Sequence, residues 1–346
     1  MKRNHRFFLI LLSLGTYTVA APAVADTFGG GANSFEIEFV TIGNPGNSPD
    51  NTGSPKLAGS VPYEYRIGKY EISEQMIGKA NALDGLLGIT KDTRGPDKPA
   101  TSVSWFEAAR FVNWLNTSTG HMPAYKFVTI PTPRGGSLSE FALWQPGDAG
   151  YDPANLFRNR LAKYFLPSAD EWYKAAFFDP TSGAYFDYPS GSNTPPVAVA
   201  SGTMAGTAVY HQNLSAGPAD IMQAGGLSPY GTMAQGGNVH EWEETELDLI
   251  NDNIFAYRGQ RGAGWGALWP GLSSTNRFGG FPMSGLDGIG FRVVSVVPEP
   301  SAAVLICLAF LGTSGVRKRR SIGALRHRIY FKGATRCAVY RAVGIC

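Results

Sequence analysis

Between Tyr185 and residue 300 the chain is rich in Gly, Pro, Ser and Asn, and its apolar residues come in clusters too short to form a buried helix. Half of any domain built from this chain must therefore consist of short strands tied by long loops. Loops of that length in a compact domain are functional or disordered, and the embedded Trp and Tyr residues favour order. The first half supplies regular elements. Phe35-Glu36-Ile37-Glu38-Phe39 and Tyr63-Glu64-Tyr65-Arg66-Ile67 alternate with the period of a strand, and the Gly, Asn, Pro and Asp residues from Gly43 to Pro55 make a loop between them. A weakly patterned helix is predicted over Ser73 to Leu83. Ser104-Trp105-Phe106-Glu107 and Ser168-Ala169-Asp170-Glu171 each carry the Ser-x-x-Glu capping box, and the apolar spacing behind them predicts two helices with Trp105 and Trp172 turned inward.

The ends have a different grammar. Lys2, Arg3 and Arg6, an apolar run from Phe7 to Leu14 and the Ala23-Val24-Ala25 tripeptide predict a signal peptide over residues 1–25 that is cleaved on export. Pro298-Glu299-Pro300, the apolar stretch 301–316 and Arg317-Lys318-Arg319-Arg320 resemble the PEP-CTERM sorting signal. That resemblance implies a sorting segment over residues 297–320, an exosortase-type protease as partner, membrane contact through 301–316, and delivery to the cell envelope or cell surface. Residues 321–346 are expected to be a disordered basic tail. Twelve of the 30 basic residues lie in these ends, whereas all 27 acidic residues lie between Asp26 and Pro300, so the net charge of +3 conceals a domain of net charge −9. Such a surface argues against nucleic acid and anionic membrane as ligands. Cys307, Cys337 and Cys346 all lie outside residues 26–296, which leaves that domain without disulfides or thiolate metal sites.

Six blocks, read in order, give a family resemblance. They are Tyr65-Arg66-Ile67-Gly68-Lys69-Tyr70-Glu71-Ile72, Pro99-Ala100-Thr101-Ser102-Val103-Ser104-Trp105, Phe165-Leu166-Pro167-Ser168-Ala169-Asp170-Glu171-Trp172, Ser228-Pro229-Tyr230-Gly231 with Gly236-Gly237-Asn238-Val239-His240-Glu241-Trp242, Arg261-Gly262-Ala263-Gly264-Trp265, and Gly290-Phe291-Arg292-Val293. Together they resemble the formylglycine-generating enzymes, or sulfatase-modifying factors. The resemblance implies an α+β, C-type-lectin-like fold of small twisted antiparallel sheets, a few helices and long ordered loops. It also implies an oxidation at a copper-binding cysteine pair located between the last two blocks. Here that interval, Gly266 to Ile289, has no cysteine, and serine replaces neither the soft ligand nor the nucleophile, so copper is not expected. By the same resemblance Gly237, Val239 and Glu241 fall on the ligands of a calcium site.

The residues themselves yield less chemistry. His240-Glu241-Trp242-Glu243-Glu244 begins like a zinc-protease motif but lacks its second histidine and its helical setting. The acidic run from Glu241 to Asp252 reads as a solvated face, and Arg258, Arg261, Arg277 and Arg292 as structural partners of carboxylates. Trp265, Trp269, Asn276, Arg277 and Phe278 form the candidate ligand face, with an extracellular polysaccharide or peptide as its partner. The expectation is a surface-delivered binding or matrix module, with a cysteine-free metal oxidoreductase as the alternative.

Overall fold

The structure, a computed structural model, describes residues 24–132 and 136–298. The expected signal peptide up to residue 23, the sorting segment from Glu299 onward and the basic tail lie outside the described residues. Among the described residues no helix is long and apolar enough to cross a membrane.

The chain opens with β1 (Val24–Phe28), paired antiparallel to β2 (Phe35–Ile42) from Val24↔Phe39 to Phe28↔Phe35. Val24 and Ala25, read from sequence as the end of the signal peptide, occupy the first two positions of this strand. The alternation of β2 turns Phe35, Ile37 and Phe39 inward and Glu36 and Glu38 outward. Then come β3 (Tyr65–Gly68), α1 (Glu74–Leu83) capped by Ser73, and α2 (Trp105–Ser118), whose N-terminus carries the complete box between Ser104 and Glu107. After the hairpin β4 (Lys126–Pro131) and β5 (Ser137–Ala142) and the short β6 (Tyr164–Phe165), α3 (Ala169–Phe177) begins with the second complete box, between Ser168 and Glu171. The loop-rich half adds β7 (Val197–Ala198), β8 (Thr207–Ala208), β9 (His240–Glu246), β10 (Arg258–Arg261), β11 (Phe278–Gly280), β12 (Ile289–Gly290) and β13 (Val294–Val296).

Two sheets carry the architecture. A five-stranded antiparallel sheet has the order β1-β2-β3-β13-β6, so the last strand closes between elements from the first half. A four-stranded sheet has the order β11-β10-β9-β12, with β12 parallel to β9 and the other pairs antiparallel. The main core lies between α2 and the first sheet, where Phe35 stacks on Phe111 and Trp114, and Phe291 meets Phe111 edge-on. Trp105, at the start of α2, and Trp172, in the first turn of α3, are both buried, as expected, and both reach β9. Trp105 Nε1 donates to Glu243 O at 2.9 Å and Trp172 Nε1 to the Glu241 carboxylate at 2.7 Å, while Trp242 Nε1 returns a bond to Val103 O. The capping boxes thus fix where each helix starts, and the start fixes which indole clamps β9.

Candidate ligand face

Strand β9 has His240, Glu241, Trp242, Glu243, Glu244, Thr245 and Glu246 in succession, and all four glutamates are buried. This overturns the reading of the acidic run as a solvated face; only its end, at Asp248 and Asp252, is exposed. The cause is a set of arginines from distant segments. Arg292 forks onto Glu241, with Nε at 2.6 Å, and spends its remaining donors on the carbonyls of Gly68 and Met233. Arg261 and Arg277 share Glu243 at 2.6 and 2.8 Å. Arg158 bridges Glu244 and Glu171, and Tyr125 and Asn155 complete the shell of Glu244. Burial alone would raise the Glu171 carboxyl, yet Arg158 and the cap donors hold it below its ordinary range. Arg258 lies 4.0 Å from Glu246 and packs over Trp105 and Phe157. The four arginines read from sequence as carboxylate partners have that role.

The residues present do not fit a calcium ion at Gly237, Val239 and Glu241. A cation beside the Glu241 carboxylate would meet Arg292, which already holds both of its oxygens. The Gly-Asn-Val block serves a backbone junction instead. Gly237 has a φ of 99°, and a Cβ there would lie 2.3 Å from Val209 O. Asn238 accepts from Ala219 N and donates to the buried Glu71 carboxyl at 2.9 Å. Burial and the nearby Glu241 charge push Glu71 well above the usual carboxylate range. Among the described residues no group of three or more His, Cys, Asp or Glu is placed to hold a metal ion. His240 and Glu241 alternate along a strand, so the zinc-protease reading fails on geometry as well.

The five residues of the expected ligand face divide. Trp265 is only 4% exposed; its Nε1 donates to Leu214 O and the Arg94 guanidinium lies 5.3 Å from its ring. Arg277 is consumed by Glu243 and by the carbonyls of Leu247 and Glu246. Asn276 donates its amide to Pro270 O. Trp269, in a 3-10 turn, and Phe278, on the edge strand β11, remain open at 51% and 42% exposure. Phe278 meets the His240 ring edge-on at 5.2 Å. Burial depresses His240 to about 4, and its Nδ1 has no hydrogen-bond partner among the described residues.

Two neighbouring loops enlarge this surface with residues that sequence reasoning missed. Leu247, Phe255 and Tyr257 on the β9–β10 connection, and Phe281, Met283 and Leu286 after β11, are all exposed. Tyr257 packs edge-on against Phe281. A cavity of about 150 Å³ opens where Phe255, Ile254 and Met283 meet Phe106, Phe127 and Phe141. The one available signal was apolar side chains in segments with no period, which cannot belong to the inward face of a regular element.

Among the described residues, three helices, small and mostly antiparallel sheets, and long ordered loops on a buried ion-pair lattice define an α+β domain of the formylglycine-generating-enzyme fold. The family model for the sulfatase-modifying factor enzyme 1-like domain matches residues 56–297, and the chain belongs to that family. The fold is shared with Treponema denticola variable protein 1 (18% identity, 80% of this chain and 100% of that one, TM-score 0.51) and with CarF (18% identity, 76% and 99%, TM-score 0.51). No curated protein matches the chain in sequence.

Proposed function

We propose that this chain is an exported binding module of the sulfatase-modifying-factor family that does not generate formylglycine. The observation that carries the reading is the Gly266–Ile289 interval. Where the resemblance requires a thiolate pair, this segment has no sulfur nucleophile and instead presents Trp269, Phe278, Phe281, Met283 and Leu286 to solvent. Copper oxidation of a peptide cysteine needs thiolates for metal capture and for exchange with the substrate. Exposed aromatic and apolar side chains on loops held by a rigid base suit capture of a ligand.

In this reading the signal peptide and the PEP-CTERM ending, acted on by an exosortase-type protease, deliver the domain to the cell envelope. Cleavage after Ala25 leaves Asp26, whose carboxylate anchors β1 by accepting from Arg66 and Tyr164. The ligand face proper consists of Trp269 and Phe278 with their neighbouring loops. Trp265, Asn276 and Arg277 hold that face in place and do not touch the ligand.

Glycan and peptide arrays probed with the purified protein test the proposal. Trp269→Ala and Phe278→Ala are expected to abolish capture with the melting temperature unchanged. Arg277→Ala is expected to lower the melting temperature, because it strips Glu243 of a partner in the core. Silence on both arrays, or stoichiometric copper or iron together with turnover of a cysteine-containing peptide, overturns the proposal. The second of these outcomes would return the chain to the oxidoreductases.

A further inference from the structure

Charge is distributed unevenly between the two halves of the domain. From Ala175 to Pro298 there is no lysine, and the four arginines, Arg258, Arg261, Arg277 and Arg292, are buried beside the glutamates of β9. The charge this half shows to solvent is therefore carboxylate. Asp220 and Asp287 are matched by Lys98 and Arg94 from the first half. Asp248 and Asp252, on the same loop as Leu247, Phe255 and Tyr257, have no ion-pair partner among the described residues, and neither has Glu140 on the wall of the Phe106–Met283 cavity. Arg110, 5.9 Å from the Phe127 ring, can offset one of these three carboxylates.

The cavity itself has an aromatic and aliphatic wall and is large enough for one bulky apolar side chain. Recognition surfaces of this kind gain most of their affinity from one such anchor, and their charged rim sets partner choice. A saccharide fits poorly here, because Ser139 and Glu140 are the polar residues of a lining that is otherwise aromatic and aliphatic. An anionic lipid surface is repelled by the same carboxylates.

Resting on the proposal that the domain is a binding module, we infer that its partner is a cationic polypeptide segment. The segment seats one apolar side chain among Phe106, Phe127, Ile254, Phe255 and Met283, and its flanking Lys or Arg residues face Asp248, Asp252 and Glu140. Apolar contact supplies the anchor. The carboxylates supply the preference for positive charge and make the binding salt-dependent.

The test uses the full chain and three synthetic peptides of equal length, one of leucine and lysine, one of leucine and glutamate, and one of serine and lysine, titrated by fluorescence anisotropy at low and high salt. The leucine–lysine peptide is expected to bind at least tenfold more tightly than either of the others and to weaken as salt rises. Phe255→Ser with Met283→Ser is expected to remove that preference. Both side chains are more than half exposed, so circular dichroism and melting should not change. Asp248→Asn with Asp252→Asn is expected to retain the apolar contact while losing most of the salt dependence. Equal binding of the leucine–glutamate peptide overturns the inference, as does capture unaffected by the Phe255/Met283 pair, or preferential binding to neutral lipid vesicles. If the arrays show a glycan or an acidic peptide as ligand, the inference falls and the binding-module reading stands.

Discussion

Replacing Arg292 by Met tests whether the buried ion pairs hold the loop-bearing sheet. The substitution keeps the length of the side chain and removes every donor. Glu241 would be left as a fully buried carboxylate with the Trp172 indole as its remaining side-chain donor, and Gly68 O and Met233 O would lose their partner. Breaking a buried pair from one side costs about 3–5 kcal/mol, because the surviving charge stays desolvated, and the orphaned carbonyls add about 1 kcal/mol or more. For a domain of this size each kcal/mol lowers the melting temperature by about 2–4 °C, so the expected fall is roughly 8–24 °C.

The double variant Arg292→Met with Glu241→Met separates pair from packing. It removes both charges and is expected to melt above the single Arg292 variant, with a coupling of about 1–3 kcal/mol in the cycle. Differential scanning calorimetry of the four proteins is the assay. A fall of less than about 3 °C in the single variant, or additive losses in the double, would refute the argument. The same melts with excess calcium or chelator should coincide. A calcium-dependent rise that disappears in Glu241→Gln would show that Glu241 serves a metal and not Arg292.

Three further outcomes follow from the junction beneath the ligand face. Gly237→Ala should cost about 3–5 kcal/mol, because it combines a left-handed backbone with a clash against Val209 O, and an unfolding free energy from denaturant titration within about 1 kcal/mol of the parent would contradict this. Glu71 has its carboxyl raised in the folded state, so its contribution is complete below the unfolded carboxylate range and is lost as pH rises from there through the raised folded value; Glu71→Gln should flatten that decline, and an unchanged stability profile would count against a neutral Glu71. His240 runs the other way. With its folded value near 4 and an unfolded value of about 6.5, stability should fall as pH drops through that window, by up to about 3 kcal/mol, and His240→Leu should abolish the slope; an imidazole resonance titrating near 6.5 would show that the ring is not desolvated.

What the sequence made legible was local. Ser104–Glu107 and Ser168–Glu171 announce their helices because each box is complete within four residues, and the alternation of Phe35 to Phe39 announces β2 for the same reason. The ordered blocks carried the family and with it the fold. The burial of Glu241, Glu243, Glu244 and Glu246 was not legible, because the guanidiniums that permit it come from Arg158, Arg258, Arg261, Arg277 and Arg292, and a run of carboxylates looks the same to a local reading whether or not they are paired. Strand β1 was hidden because Val24 and Ala25 also fit the end of a signal peptide, and only pairing with Phe39 and Glu38 assigns them to a sheet. Trp265 and Arg277 were placed on the ligand face for their chemistry. Their position was decided by Leu214 O, Arg94 and Glu243, contacts that no spacing rule reaches.

This division of labour bears on function. Apolar residues of matching volume would stabilise the second sheet as well as ion pairs do, so charge at β9 is not explained by stability alone. Ion pairs and forked donors do something apolar packing cannot, which is to fix backbone carbonyls at named positions. Arg277 holds Leu247 O and Glu246 O, Arg261 holds Asn276 O, and Arg258 holds Ala256 O, so both loops flanking β10 are tied to the strand by directional bonds. The exposed side chains Phe255 and Trp269 on these loops, Phe278 on the edge strand and Met283 beyond it are then not needed to keep the loops in place. A surface whose shape is set from below by arginine can change its exposed residues, and therefore its ligand, at little cost to the fold that presents them.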